Sequence, residues 1–191
     1  MKQGPVGILL AAGRAERFGG DKLLARVTST SELTLGEAAC RQLAAALPDV
    51  IAVVRVDDDA LAARLAAVGA RVVRCANAHD GMGASLACGV QATRDASGWV
   101  IALADMPWVR PATIAAVAAA IASGAAVAAP FYRGERGHPV GFGAECGEAL
   151  VGLTGDAGAR SVLSAHRHDM VCIDVDDDGV LRDVDTPADL A

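Results

Sequence analysis

Aromatic side chains are scarce in this chain: three Phe, two Trp and one Tyr among 191 residues. A core made without them must rest on Val, Leu, Ile and Ala, a composition that suits a parallel sheet flanked by helices. Basic charge is also short, with 17 Lys and Arg against 23 Asp and Glu and a net charge of −6. That balance excludes the basic surface by which proteins hold nucleic acid. Paired cysteines are missing too. Cys40, Cys75, Cys88, Cys146 and Cys172 are odd in number, widely spaced and form no Cys-x-x-Cys. The common zinc patterns are thereby excluded, no disulfide framework is suggested, and a reducing cytoplasmic compartment is expected. The one long uncharged stretch, Pro111 to Pro130, is mostly Ala, carries Thr113 and Ser123, and is divided by Gly124. A helix ending at Gly124 and a buried strand from Ala125 to Ala129 account for it, so no membrane span is expected. No secretory leader is expected either, because the first residues run directly into a strand-length apolar segment.

What is present is a regular alternation of apolar runs and helical patterns, of a length suited to one well-cored domain over residues 1–191. Strands are expected at Val6–Ala11, Val50–Val54, Ala70–Arg74 and Val100–Ala104, with further strands at Ala125–Ala129 and Met170–Val175. Thr34-x-x-Glu37 reads as a capping box that opens the first helix. Asp57-Asp58-Asp59 reads as a helix N-terminus, with carboxylates against the positive end of the dipole, rather than as a metal site. Phe131 to Phe142 reads as a hairpin with a charged, glycine-bearing tip. The fold class implied is α/β: a doubly wound, mostly parallel sheet of Rossmann-like type with a late β-hairpin.

The chemistry concentrates at residues 7–24. An apolar strand feeds a loop with Gly13, Gly19 and Gly20, which also carries Arg14, Arg17 and Lys22. Glycines let several backbone N–H groups turn inward to form an anion site, and the two guanidinium forks and the ammonium add fixed positive charge. The loop follows the first strand, at the carboxyl edge where open α/β sheets bind ligands. It is neither a Walker A loop, since no Gly-Lys-Ser/Thr follows, nor a Gly-x-Gly-x-x-Gly dinucleotide turn. Asp105 stands directly after the apolar run Val100–Ala104, so its carboxylate points into the same crevice; it is either a hard oxygen ligand for Mg²⁺ or the cap of the next turn. One carboxylate rarely holds Mg²⁺ alone, and Asp183 and Asp185 are candidates for the second, with Asp185 preferred. In Asp185-Thr186-Pro187 that residue is equally placed to cap a helix.

The run Leu10-Ala11-Ala12-Gly13, Arg17-Phe18-Gly19, Lys22-Leu23-Leu24 closely resembles the amino-terminal signature of the molybdopterin nucleotidyltransferases, and specifically of their cytidylyltransferase branch. In that family the Ala-Ala-Gly form goes with cytidine nucleotides and the Ala-Gly-Gly form with guanosine. A glycine in place of Ala12 would let a larger purine approach the backbone. The resemblance implies a nucleotide site made of Leu10, Ala11, Ala12, Gly13, Arg14 and Lys22. It adds Asp80, Gly81 and Ser85 from a segment like the family's Gly-Met-Ser-Ser-Ser-Leu, where Gly83 and Ala84 replace hydroxyls. Asp80 is positioned for the base or the ribose, and Ser85 for the ribose or a phosphate. Leu103-Ala104-Asp105-Met106-Pro107 is similar to the family's metal element, and Asp183-Val184-Asp185-Thr186-Pro187 to its closing element. Arg136-Gly137-His138-Pro139 and Gly155-Asp156-Ala157-Gly158-Ala159-Arg160 match the cytidylyl branch and are implied to face the acceptor. There Arg160 would pair with a phosphate, and His138 would either bond the pterin or brace the hairpin. Residues 25–35 depart from the family, which has a short Gly-x-Pro-Leu-Leu connection at this point.

The implied reaction is Mg²⁺-dependent transfer of CMP from CTP to the phosphate of molybdopterin. Lys22, Arg17 and Asp105 would be the catalytic groups, and a molybdenum hydroxylase the eventual recipient of the cofactor. A phosphate acceptor is already anionic near neutrality, so no general base is required. Two other readings remain open: transfer to a different phosphorylated acceptor such as a sugar phosphate, and a non-catalytic cofactor-delivery chaperone.

Overall fold

Five residues, Val6–Leu10, form β1, and the rest of the sheet is registered on them. Strand β1 lies between β2 (Val50–Arg55) and β4 (Gly98–Leu103), parallel to both, with Ile8 opposite Ile51 and Ile101. This is a computed structural model, and it describes residues 4–13, 18 and 20–190. Strand β3 (Arg71–Cys75) adds in parallel beyond β2, and its outward charges, Arg71 and Arg74, keep that edge from pairing with another chain.

Because side chains alternate along a strand, consecutive residues of β1 enter two different cores. Leu9 joins Ala52, Val54 and Val100 beneath α1 (Leu35–Ala46), α2 (Asp59–Ala67) and α4 (Pro111–Ala122). Ile8 joins Ile51, Val53 and Ile101 beneath α3 (Met82–Gln91), α5 (Gly147–Val151) and α6 (Arg160–Ala165). Burial on both faces explains why the central strands read as unbroken apolar runs. Helices on both faces make the sheet doubly wound, as expected.

The described residues form one eight-stranded sheet in the order β3-β2-β1-β4-β7-β5-β6, with β8 (Val171–Asp174) on the other side of β5 (Val127–Tyr132). From β1 the chain proceeds toward β2, and from β4 toward the opposite edge. Their carboxyl ends therefore diverge and leave a crevice. The hairpin is present, turning at Arg133 and Gly134, both with positive φ, which suits a two-residue connection. Its return is split into β6 (Glu135–Arg136) and β7 (Val140–Gly143), and β7 is inserted antiparallel between β4 and β5. The late hairpin is thus part of the main sheet rather than an appendage.

Local signals hold closely. Thr34 Oγ1 accepts from the Glu37 N–H while Glu37 Oε2 accepts from the Thr34 N–H at 2.9 Å, a complete capping box. Asp58 caps α2 by accepting from the Leu61 N–H. The unusual segment 25–35 closes on itself: Val27 N–H donates to Leu33 O and Leu35 N–H to Ala25 O, returning the chain to the start of α1. Helix α3 begins at Met82 with no side-chain cap; instead the Gly83 N–H donates to Gly155 O at 2.7 Å.

The carboxyl-terminal segment is tied down by one buried carboxylate. Asp177 accepts from the Arg110 N–H (2.9 Å), Thr113 Oγ1 (2.6 Å) and the Gly179 N–H (3.2 Å), joining the start of α4 to the tail. Asp177→Ala leaves those donors without partners and is expected to cost about 3 kcal/mol. Urea unfolding checks this; a loss under about 0.5 kcal/mol, the size of an ordinary surface substitution, contradicts it.

Candidate active site

The crevice at the carboxyl ends of β1, β2, β3 and β4 is a cleft of about 700 Å³. Strand β1 supplies its floor through Leu10 and the small, buried Ala11 and Ala12, followed by Gly13. Gly81, Met82 and Ser85, at the start of α3, form one wall, and Asp105, Asp183 and Asp185 form the opposite one. Seven of the nine nucleotide residues expected from the sequence therefore line one cavity: Leu10 to Gly13, Lys22, Gly81 and Ser85. Arg14 and Arg17, with Gly19, lie outside the described residues.

Lys22 is the residue that joins the walls. It opens a 3₁₀ turn (Lys22–Leu24), and its ammonium donates to Asp105 Oδ2 at 2.8 Å and to Val184 O at 2.7 Å. The pair is shielded, with Lys22 and Asp105 side chains 12% and 24% exposed. Three segments more than 80 positions apart in sequence or nearly so thus converge on one ammonium group. Arg55, unforeseen in the sequence, enters from the end of β2 and is held by Asp57 and Asp58, each at 3.4 Å. The signal that locates Asp105, a charge directly after an apolar strand, applies equally to Arg55.

The wall at Gly81 is shaped by contact with a distant loop. Gly81 has φ +116°, and a side chain there would collide with the Asp156 carboxylate and the Gly155 backbone. A side chain at Gly83 would meet Thr154 O at 2.8 Å, so the glycine that replaces a family hydroxyl is the one that admits loop 154–156. That loop carries Asp156 into the cleft. No local pattern marks it, since the contact spans more than 70 residues.

Other expected site residues lie elsewhere. Asp80 does not line the cleft; its carboxylate is 3.3 Å from His79 Nε2 and more than half exposed. His138 and Pro139 border a small apolar niche with Leu103 and Met106, behind Asp105. Arg160 is the exposed first residue of α6 and is not part of the cleft lining. In the closing element, Asp189 rather than Asp185 supplies the turn's hydrogen bonds. It accepts from the N–H groups of Thr186 (2.7 Å) and Asp185 (3.0 Å) and from Thr186 Oγ1, which hold its carboxyl below the usual range. Asp185 itself remains on the cleft wall.

Carboxylates dominate this cavity. Among the described residues its two strong cations are already paired, Lys22 with Asp105 and Arg55 with Asp57 and Asp58. A polyanionic ligand would have to bring or recruit further positive charge. The corner between Asp105 Oδ2 and Val184 O already stabilises one cation, and its donors are the hard oxygens that Mg²⁺ or Mn²⁺ takes. No cluster of three or more His, Cys, Asp or Glu able to hold a metal occurs among the described residues. A divalent ion at this corner would draw its remaining donors from the cleft carboxylates, a bound nucleotide's oxygens and water.

Residues 7–170 match the model of the MobA-like NTP transferase domain. The chain belongs to the MobA-like NTP transferase family. This NTP transferase is 30% identical to the purine catabolism protein PucB of Bacillus subtilis, over 95% of this chain and 92% of that protein. It is 29% identical to a nicotine blue oxidoreductase of Paenarthrobacter nicotinovorans, over 94% of this chain and 91% of that one. Its fold superposes on Rv0371c of Mycobacterium tuberculosis H37Rv with a TM-score of 0.80 and 28% identity, covering 98% and 96% of the two chains. Rv0371c has also been solved in complex with manganese, where the TM-score is 0.70 and the identity 25%, over 92% and 89% of the chains. The nucleotidyltransferase and α/β readings of the sequence both stand. No helix of the described residues is long and apolar enough to cross a membrane.

Burial holds the His138 pKa below its ordinary value of 6.5; Arg136 pushes the same way, and Asp105 and Asp183 oppose it. The unfolded chain therefore takes up a proton at a pH where the folded protein resists it, so folding stability falls as pH drops below about 6.5. His138→Gln removes that component and is expected to flatten the acid limb of a melting-temperature profile between about pH 6.5 and 5. An unchanged slope contradicts the assignment.

Proposed function

We propose that this NTP transferase transfers CMP from CTP to the phosphate of molybdopterin, releasing pyrophosphate, as a single domain over residues 1–191 that serves a molybdenum hydroxylase in the cytoplasm. The observation that supports this most is the meeting of Ala11-Ala12-Gly13, Lys22 and Asp105 at one cleft. The backbone of Leu10 to Gly13 cradles the nucleotide, with Gly81 and Ser85 against the nucleoside. Ala12 favours the smaller pyrimidine, and Asp156 accepts from the exocyclic amine of cytosine. Lys22, with Arg14 and Arg17, neutralises phosphate charge as the α–β bond breaks. Asp105 and Asp185 would hold Mg²⁺, which would offset triphosphate charge and orient the α-phosphate. The acceptor phosphate attacks the α-phosphorus in line, and its oxygen needs no deprotonation. Neutral His138 donates a hydrogen bond toward the acceptor beside Pro139, and Arg160 serves it only at the rim.

A second reading comes from the relative named as an oxidoreductase. Redox chemistry on a dinucleotide fits this chain less well, because β1 is not followed by the Gly-x-Gly-x-x-Gly turn that such a ligand requires.

Purified protein incubated with each NTP, Mg²⁺ and molybdopterin, and followed by mass spectrometry, is expected to give the cytidine adduct and pyrophosphate. A guanosine adduct alone would overturn the base assignment, and no adduct with any NTP would overturn transfer to molybdopterin. Asp105→Asn keeps the size and one carbonyl oxygen but removes the charge that a hard cation needs. It is expected to lower turnover on the order of 100-fold while nucleotide without metal binds as well or better. Near wild-type turnover in this variant would remove Asp105 from the metal site.

A further inference from the structure

We infer that Asp105 Oδ2 and Val184 O form a cation seat which Lys22 itself fills in the free protein, so that a divalent metal enters tightly only with the nucleotide that draws Lys22 away. The inference rests on the nucleotide reading above for the second half of this exchange; the first half concerns the protein alone.

The seat is built rather than incidental. The Lys22 ammonium is 2.8 Å from one oxygen and 2.7 Å from the other, the spacing of charge-assisted hydrogen bonds. Val184 cannot swing its carbonyl away, since its N–H donates to Asp105 O at 3.0 Å and its side chain is fully buried. The segment before it is pinned at two further points. Asp177 is bonded to Arg110 and Thr113, and Arg182 lies over the Trp108 ring at 4.2 Å. Asp105 and Val184 therefore present two oxygens at a fixed separation, and the only described group between them is Lys22.

Two cations cannot share that position. A divalent ion bound about 2.1 Å from Asp105 Oδ2 would stand close to the Lys22 ammonium, within roughly a hydrogen-bond length, in a shielded corner where like charges repel strongly. Metal alone must displace Lys22 with no new partner offered to it. A triphosphate changes the balance, because its oxygens accept the ammonium and its own charge attracts the metal. Lys22 exchanges a carboxylate for a phosphate, Asp105 exchanges an ammonium for a metal, and every charge remains paired throughout. Nucleotide and metal then strengthen each other's binding by the same factor. Catalysis follows only when both are present, so the seat also guards against unproductive metal uptake. The Val184 carbonyl is a seat atom that no side-chain motif marks.

Mn²⁺ alone, titrated by electron paramagnetic resonance of the free ion, tests the first half. The wild type is expected to bind weakly, and Lys22→Met, or Lys22→Gln as a second variant, about tenfold or more tightly, the factor that a modest shielded charge interaction represents. The gain is expected to disappear in Lys22→Met/Asp105→Asn. It is also expected to survive in about 0.5 M KCl, where charges acting only through solvent are screened. Equal Mn²⁺ affinity in wild type and Lys22 variants, or a gain that vanishes in salt, would overturn the seat. A non-hydrolysable CTP analogue is then expected to tighten Mn²⁺ binding to the wild type more than to Lys22→Met. If the analogue binds with Mn²⁺ but that difference is absent, the exchange is overturned and the nucleotide reading stands. If neither this analogue nor those of other NTPs bind with Mn²⁺, the nucleotide reading fails, while the Mn²⁺-only titrations still decide the seat.

Discussion

The ammonium of Lys22 sits where three parts of the chain meet, and the arrangement of the cleft depends on it. Its bonds to Asp105 and Val184 tie the loop after β1 to the end of β4 and the carboxyl-terminal segment. In a cavity lined by six aspartates, that contact offsets the charge of one of them. It also aligns the Asp105 carboxylate, whose backbone lies in the turn closed by Met106 N–H on Leu103 O. The same carboxylate and ammonium that steady the free protein are the groups that a bound nucleotide and its metal would claim.

The sheet explains why this meeting happens where it does. With β1 and β4 adjacent and parallel, and their outgoing chains leading toward opposite edges, the carboxyl ends of both strands open onto the same crevice. Aliphatic burial on both faces keeps those strands rigid, so residues just past their ends, Ala11, Ala12 and Asp105, are carried to fixed positions. The opposite wall is made differently. There Gly81 and Gly83 allow backbone from loop 154–156 to approach the start of α3 closely, and the Asp156 carboxylate enters the cleft through that contact.

Much of this was legible in the residues. The strand-helix alternation, the capping box at Thr34, the Asp58 cap and the hairpin tip at Arg133-Gly134 all rest on interactions within a few positions, which local sequence encodes directly. Seven of the nine expected nucleotide residues reach the cleft for a related reason: they follow strands, and strand ends in a parallel sheet face one way. Asp80 was drawn to its neighbour His79 instead, and Arg160 sits at the exposed start of a short helix, because the direction of a loop side chain depends on what packs beneath it. His138 faces an apolar niche for the same reason.

By itself the sequence determined the fold class and the family, since each follows from composition, period and contiguous motifs. Only the tertiary structure decided that β7 is inserted between β4 and β5, that Arg55 and Asp156 join the cleft, and that Asp189 rather than Asp185 closes the final turn. It also decided that Lys22 rests on Asp105 and the Val184 carbonyl. Most of these are contacts between residues tens to more than a hundred positions apart, set by how strands are ordered and which backbones can approach. Such pairings carry no periodic trace in a single chain, and a backbone carbonyl such as that of Val184 carries no residue identity at all.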